Sequence, residues 1–208
     1  MKVLAVVKGR SVLEVEQLLE RDPSIDCIGE NRWPDCDANF KHFQDLERHF
    51  IGPLQKNKVR KVVPICEVIQ SVDSWELLQR IDMVAAEFGK VMKFCLQVNV
   101  AEDSAKSGIE ADEVDAFVRK YVEANLQNVK MVGLMTIGSR TGQKEYFTKM
   151  RGIFDSVNAI LPIEILSMGM SDDYQLAEEC GATMVRLGRK LFQGILDTFT
   201  DVCDKRIY

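Results

Sequence analysis

The chain has 208 residues, of which 46% are hydrophobic and 28% charged, with a formal net charge of -5. That length suits one α/β domain with a core of useful size, and the acidic balance argues against nucleic acid as the main partner, because phosphate binding needs a basic footprint. Six cysteines without a C-x-x-C pair and only two histidines disfavour a zinc site, and no apolar stretch approaches a membrane span.

The first element is the apolar run Val3-Leu4-Ala5-Val6-Val7, closed by Lys8. An uninterrupted apolar run reads as a strand buried on both faces, as in a parallel sheet covered by helices. Met1-Lys2 leads straight into it, so no signal peptide is expected, and reduced thiols in the cytoplasm are. Gly9-Arg10 turns the chain, and Ser11 with Glu14 reads as a capping box opening a helix over 11–20, broken by Asp22-Pro23. Cys27-Ile28-Gly29 is a short second strand with Glu30-Asn31 at its mouth. A helix is expected over 33–43, with Pro34 in its first turn. His49-Phe50-Ile51 is a third strand, ended by Gly52-Pro53. Lys56, Lys58, Arg60 and Lys61 recur at helical spacing over 54–63 and read as a solvated helix face. Val68-Ile69 opens a fourth strand that ends at Gln70-Ser71.

Asp73 reads as the N-cap of a helix over 73–88 that Gly89 stops. A fifth strand over 93–100 carries Asn99 near its mouth. A loop, a helix over 110–124, a sixth strand over 129–135 and a helix over 144–158 follow. A seventh strand covers 163–166, with Ser167 to Ser171 as its loop. Ser171 is expected to cap a helix over 172–180 that ends at Gly181, and an eighth strand covers 184–188. Strand then helix, about eight times with short connections, means a parallel sheet. The expectation is a single (β/α)8 TIM-type barrel formed by 1–208 as one domain, with an open doubly wound sheet as the alternative.

In a closed barrel the strand mouths meet at one face. They would gather Lys8, Asn31, Gly52, Ser71, Asn99, Thr136, Ser167 to Ser171 and Arg186 to Arg189. A lysine against apolar walls is a candidate Schiff-base amine, since desolvation frees the neutral nucleophile; the alternative is a rim lysine whose head reaches water. Ser171 at a helix start and Gly188 after the last strand would let a phosphate approach backbone N–H groups. An amine on the first strand opposite a phosphate cradle on the last two points to pyridoxal 5′-phosphate (PLP).

The chain resembles the pyridoxal phosphate homeostasis proteins. The resemblance rests on Ala5-Val6-Val7-Lys8, Gly29-Glu30-Asn31 and, most specifically, His49-Phe50-Ile51-Gly52-Pro53-Leu54-Gln55-Lys56-Asn57-Lys58. It continues through Ser71-Val72-Asp73, Gln97-Val98-Asn99, Lys106-Ser107-Gly108 and Gly133-Leu134-Met135, then Leu166-Ser167-Met168-Gly169-Met170-Ser171-Asp172-Asp173 and Met184-Val185-Arg186-Leu187-Gly188. It implies a barrel like the N-terminal domain of alanine racemase with PLP on Lys8. Ser171, Gly188 and Arg189 would line the phosphate, Arg186 would face the pyridine nitrogen, and Asn31, Ser167 and Met170 would complete the cofactor contacts. A guanidinium stays protonated, so the ring nitrogen beside it would not, which weakens carbanion chemistry. The chain departs from the resemblance in three places. Its first strand starts at Val3 where the family has a preceding helix, Arg189 stands where threonine is more usual, and Ala105 replaces the serine before the loop lysine.

Two functions follow: a PLP carrier or buffer that serves apo-enzymes, expected to be a monomer without robust catalysis, or a PLP-dependent amino-acid racemase. Racemisation needs an acid–base group on each face of the adduct. Of Tyr121, Tyr146, Tyr174 and Tyr208, only Tyr174 falls near a mouth. A phosphosugar barrel enzyme would lack its carboxylate pair. Lys106 reads as a solvated loop lysine, with capture of a second PLP as the alternative. His49 reads as a satisfied core histidine, and Cys36 and Cys66 lack activating neighbours in sequence.

Overall fold

A computed structural model describes residues 1–101, 107–138 and 143–193. Its strands are β1 (Lys2–Val6), β2 (Cys27–Glu30), β3 (Glu47–Phe50), β4 (Val68–Val72), β5 (Met92–Asn99), β6 (Ile109–Glu110), β7 (Val129–Met135), β8 (Ile165–Ser167) and β9 (Met184–Leu187). The order β4-β3-β2-β1-β9-β8-β7-β5 closes on itself through a β4–β5 pairing, so eight parallel strands form a barrel. The short β6 adds to the last residues of β5. The helices are α1 (Val12–Arg21), α2 (Cys36–His42), α3 (Val59–Val62), α4 (Trp75–Glu87), α5 (Val114–Ala124), α6 (Gln143–Ile160), α7 (Tyr174–Glu179) and α8 (Arg189–Phe192). The closed (β/α)8 expectation therefore holds over the open sheet.

Side-chain alternation divides the core in two. On β1 and just past its end, Val3, Ala5 and Val7 face the helices, and Ala5 and Val7 join Val15, Leu18, Phe40 and many others in a ring-shaped core between sheet and helices. Lys2, Leu4 and Val6 face the barrel axis. Leu4 meets Cys27 and Met184 inside, and Val68, Cys95 and Met135 form a second small interior cluster. At the barrel base Lys2 and Lys93 close on Glu47 at 3.1 and 2.9 Å.

Several boundaries differ from the sequence expectation. The Ser11 capping box is present as expected, with Ser11 N–H donating to the Glu14 carboxylate at 2.8 Å. Asp73 is not the cap of α4. An N-cap keeps extended backbone and accepts an N–H from the first turn, and it is Ser74 that is extended and accepts from Leu77 N–H at 3.4 Å. Ser171 is likewise not the cap of α7. Asp173 holds that position and accepts from Met170 N–H at 2.6 Å, which closes a turn before the helix begins. The helix expected over 33–43 is shorter and starts at Cys36, beyond Pro34. β8 lies further along than expected, so Ser167 ends a strand instead of opening a loop. β1 stops at Val6, and Lys8 stands in the turn after it.

Candidate functional site

The mouth of the barrel holds a cavity of about 450 Å³ between the ends of β1, β2, β3, β7, β8 and β9. Lys8 reaches it because the two-residue alternation Lys2, Leu4, Val6, Lys8 continues past the strand; Val6 and Lys8 both line the wall. The same alternation brings Asn31 from β2, Ile51 from β3 and both Arg186 and Gly188 from β9. Ile137, Gly52, Pro53, Met170, Ser171, Asp172 and Arg189 complete the rim.

The turn carrying Lys8 is tied down from outside the barrel. Asn39 on α2 donates to the Arg10 carbonyl at 3.1 Å and to Glu30 Oε1 at 3.2 Å. Glu30 is buried, and burial raises its carboxyl above the ordinary range, against the hydrogen bonds from Asn39 and the Asn31 backbone and the nearby charge of Lys8. Its Oε2 is left without a partner. On the cavity wall, Asn31 Oδ1 is also buried without a partner. The backbone of Gly52 lies against Asn31 so closely that a Cβ there would stand 2.0 Å from the Asn31 carbonyl oxygen.

Arg186 is 5% exposed. One terminal nitrogen donates to the Ser167 carbonyl at 2.9 Å and to Ser167 Oγ at 2.8 Å; the other donates to the Thr136 carbonyl at 2.8 Å. Burial lowers its pKa to about 10, partly offset by Asp173, so it is cationic at neutral pH. At the rim, Arg189 pairs with Asp172 at 2.9 Å, both widely exposed.

Of the residues expected at the site, Lys8, Asn31, Met170, Ser171, Arg186, Gly188 and Arg189 line this one cavity. Ser167 lies beneath Arg186 and off the wall, its hydroxyl already engaged. Ser71, Asn99 and Thr136 also stand off it: Thr136 Oγ1 donates to the Val98 carbonyl at 2.8 Å, and Asn99 donates to Glu110 at 3.3 Å. Lys106 lies outside the described residues. Asp172 was missed as a wall residue; its place beside Ser171 was the available signal. Gln70 and Glu47, which connect to Arg186 through the interior, carried only the weak signal of polar residues at inward positions.

Other features fall into place around the mouth. A cavity of about 500 Å³ opens at the opposite, basal end, but Lys2 and Lys93 there are both spent on Glu47. His49 is fully buried and hydrogen-bonded through both ring nitrogens, the satisfied core histidine expected. Cys27, Cys36, Cys66, Cys95 and Cys180 are free thiols, and burial pushes those of Cys36 and Cys66 up to about 12. In the basic run Lys56, Arg60 and Lys61 are exposed above the buried Val59 and Val62. Among the described residues no helix is long and apolar enough to cross a membrane, and no cluster of metal-ligating side chains occurs.

Comparison with known proteins places this geometry. The family model for the alanine racemase N-terminal domain matches residues 1–194. The pyridoxal phosphate homeostasis protein of Pasteurella multocida is 32% identical over 202 residues, covering 92% of this chain and 85% of that one. The protein of the same name from Synechocystis is 34% identical, covering 92% and 90%. Among solved structures, PipY of Synechococcus elongatus with PLP bound superposes with a TM-score of 0.83 at 32% identity, covering 92% of each chain. Alanine racemase of Clostridium difficile shares the fold, with a TM-score of 0.75 at 20% identity over 92% of this chain and 52% of that one.

Proposed function

This chain belongs to the pyridoxal phosphate homeostasis proteins, within the alanine racemase N-terminal domain family, and from that premise we propose that it holds PLP at the barrel mouth as an intracellular carrier. The observation that carries the reading is the convergence of a primary amine, a buried cation and a hydroxyl-bearing loop on one cavity. PLP supplies an aldehyde, an aromatic ring nitrogen and a phosphate. The mouth fits that set. Lys8 would supply the amine for the aldehyde. Arg186 would be a fixed donor for the ring nitrogen. Ser171, the backbone at Gly188 and the Arg189 guanidinium would hold the phosphate, and Asn31, with its unpartnered oxygen, and Met170 would lie beside the ring. Ser167 supports the ligand through Arg186.

A carrier is favoured over a racemase by where the tyrosines stand. Tyr174 takes a hydrogen bond from Lys190 at 3.1 Å and is not on the cavity wall, and the Tyr121 hydroxyl is spent on the Val129 carbonyl at 3.1 Å. Tyr146 packs on the core, and Tyr208 lies outside the described residues. Lys8 would then be the acid–base group on one face only. Further parts of the reading are a single domain, a monomer in the cytoplasm, and apo PLP enzymes as recipients. Borohydride reduction of PLP-loaded protein followed by peptide mapping tests it: a pyridoxyl group on the peptide carrying Lys8 is expected, and Lys8→Ala should abolish it. Labelling elsewhere, or none, sinks the proposal.

A further inference from the structure

A line of hydrogen bonds runs down the barrel axis from Arg186 to the base, and every group in it is buried or half-buried. Arginine can only donate, so Ser167 Oγ, 2.8 Å away, accepts. The Ser167 hydroxyl then gives its single proton to Gln70 Oε1 at 2.7 Å. That fixes the Gln70 amide, whose nitrogen donates to His49 Nδ1 at 2.8 Å. With Nδ1 accepting, the ring proton sits on Nε2 and is donated to Glu47 Oε2 at 3.1 Å. A carboxylate can only accept, so the row begins at an obligate donor and ends at an obligate acceptor. Turning the Gln70 amide over would leave the Ser167 proton without an acceptor and force a second proton onto His49. An unmade bond in a dry interior carries a full desolvation cost.

We propose that Ser167, Gln70, His49 and Glu47 form a one-way relay that positions Arg186 at the mouth and holds His49 in its Nε2–H tautomer. Bonds of one polarity in series strengthen one another. Leu4, Cys27, Val68, Cys95 and Met135 show that apolar side chains fill the same barrel interior, whereas the relay touches the cavity only through Arg186. The relay thus adds a third, directional hold on a guanidinium whose terminal nitrogens also donate to the Ser167 and Thr136 carbonyls. What Arg186 does to a ligand rests on the PLP reading; the relay itself does not.

Protein labelled with ¹⁵N-histidine and free of PLP provides the first test, with His42→Asn to assign the rings. His49 is expected to show an unprotonated Nδ1 and a protonated Nε2; the reverse pattern overturns the relay. Gln70→Leu, checked for cooperative unfolding, should weaken PLP binding about tenfold and shift the visible absorption of the bound cofactor. Unchanged affinity and absorption in the folded variant overturn the positioning role. Failure of wild-type protein to bind PLP would instead remove the proposed function, with the relay still judged by the ring nitrogens.

Discussion

Lys8 owes its place to a period of two. Lys2 and Lys8 lie on one face of the same extended segment, the first at the base of the barrel and the second at its mouth. Arg186 and Gly188 follow the same rule on β9, and all four are readable once the strands are identified. The partner of Arg189 is not readable in that way. Arg189 stands where a hydroxyl is more usual, and its guanidinium lies against Asp172, which itself lines the cavity. Asp172 therefore opposes an anionic ligand both directly and by occupying Arg189. Asp172→Asn should tighten PLP binding about threefold at low salt, with the gain shrinking as added salt screens these exposed charges. Titration by absorbance at two ionic strengths measures this, and a salt-independent or weaker affinity would contradict it.

Elements place these residues through their ends. The loop after β3 reaches the mouth by lying directly on the backbone of Asn31, and only a residue without a side chain permits that approach at Gly52. Gly52→Ala should cost about 2–3 kcal/mol in urea denaturation, because the clash is with backbone that cannot rotate away. Gly9 is the contrasting control. It has a φ of +68° with nothing within 4 Å of a built Cβ, so Gly9→Ala should cost only about 1 kcal/mol of conformational strain. Helix ends were the least legible elements. Asp73 and Ser74 are both good caps, as are Ser171 and Asp173, and composition does not rank such neighbours. The backbone leaving the strand decides: it holds Ser74 extended, and it bends 170–173 into a turn closed by the Asp173 carboxylate.

The whole molecule adds a pH dependence seated at the barrel base. Hydrogen bonds from His49, and then from Lys93 and Lys2, outweigh burial and hold the Glu47 carboxyl far below its ordinary 4.5. A carboxyl depressed by folding contributes stability above its unfolded value and loses it as the pH falls toward the folded one. Glu47→Gln should therefore cost about 2 kcal/mol at neutral pH, and the gap to wild type should narrow steadily below about pH 4.5. Denaturant unfolding across that range checks the sign; a gap that widens in acid would refute it.

Much of this protein was decided locally. Unbroken apolar runs alternating with amphipathic segments dictate buried parallel strands wrapped by helices, and strand-end residues such as Lys8, Asn31, Arg186 and Gly188 follow from that pattern. Only closure of the barrel decided the rest. Glu47, His49, Gln70, Ser167 and Arg186 lie on four strands, and Gln70 and Ser167 are 97 positions apart in the chain. Which of them touch, and which way each proton points, depends on the register across β3, β4, β8 and β9. No local pattern encodes that register, because it is set by the pairing of the complete ring.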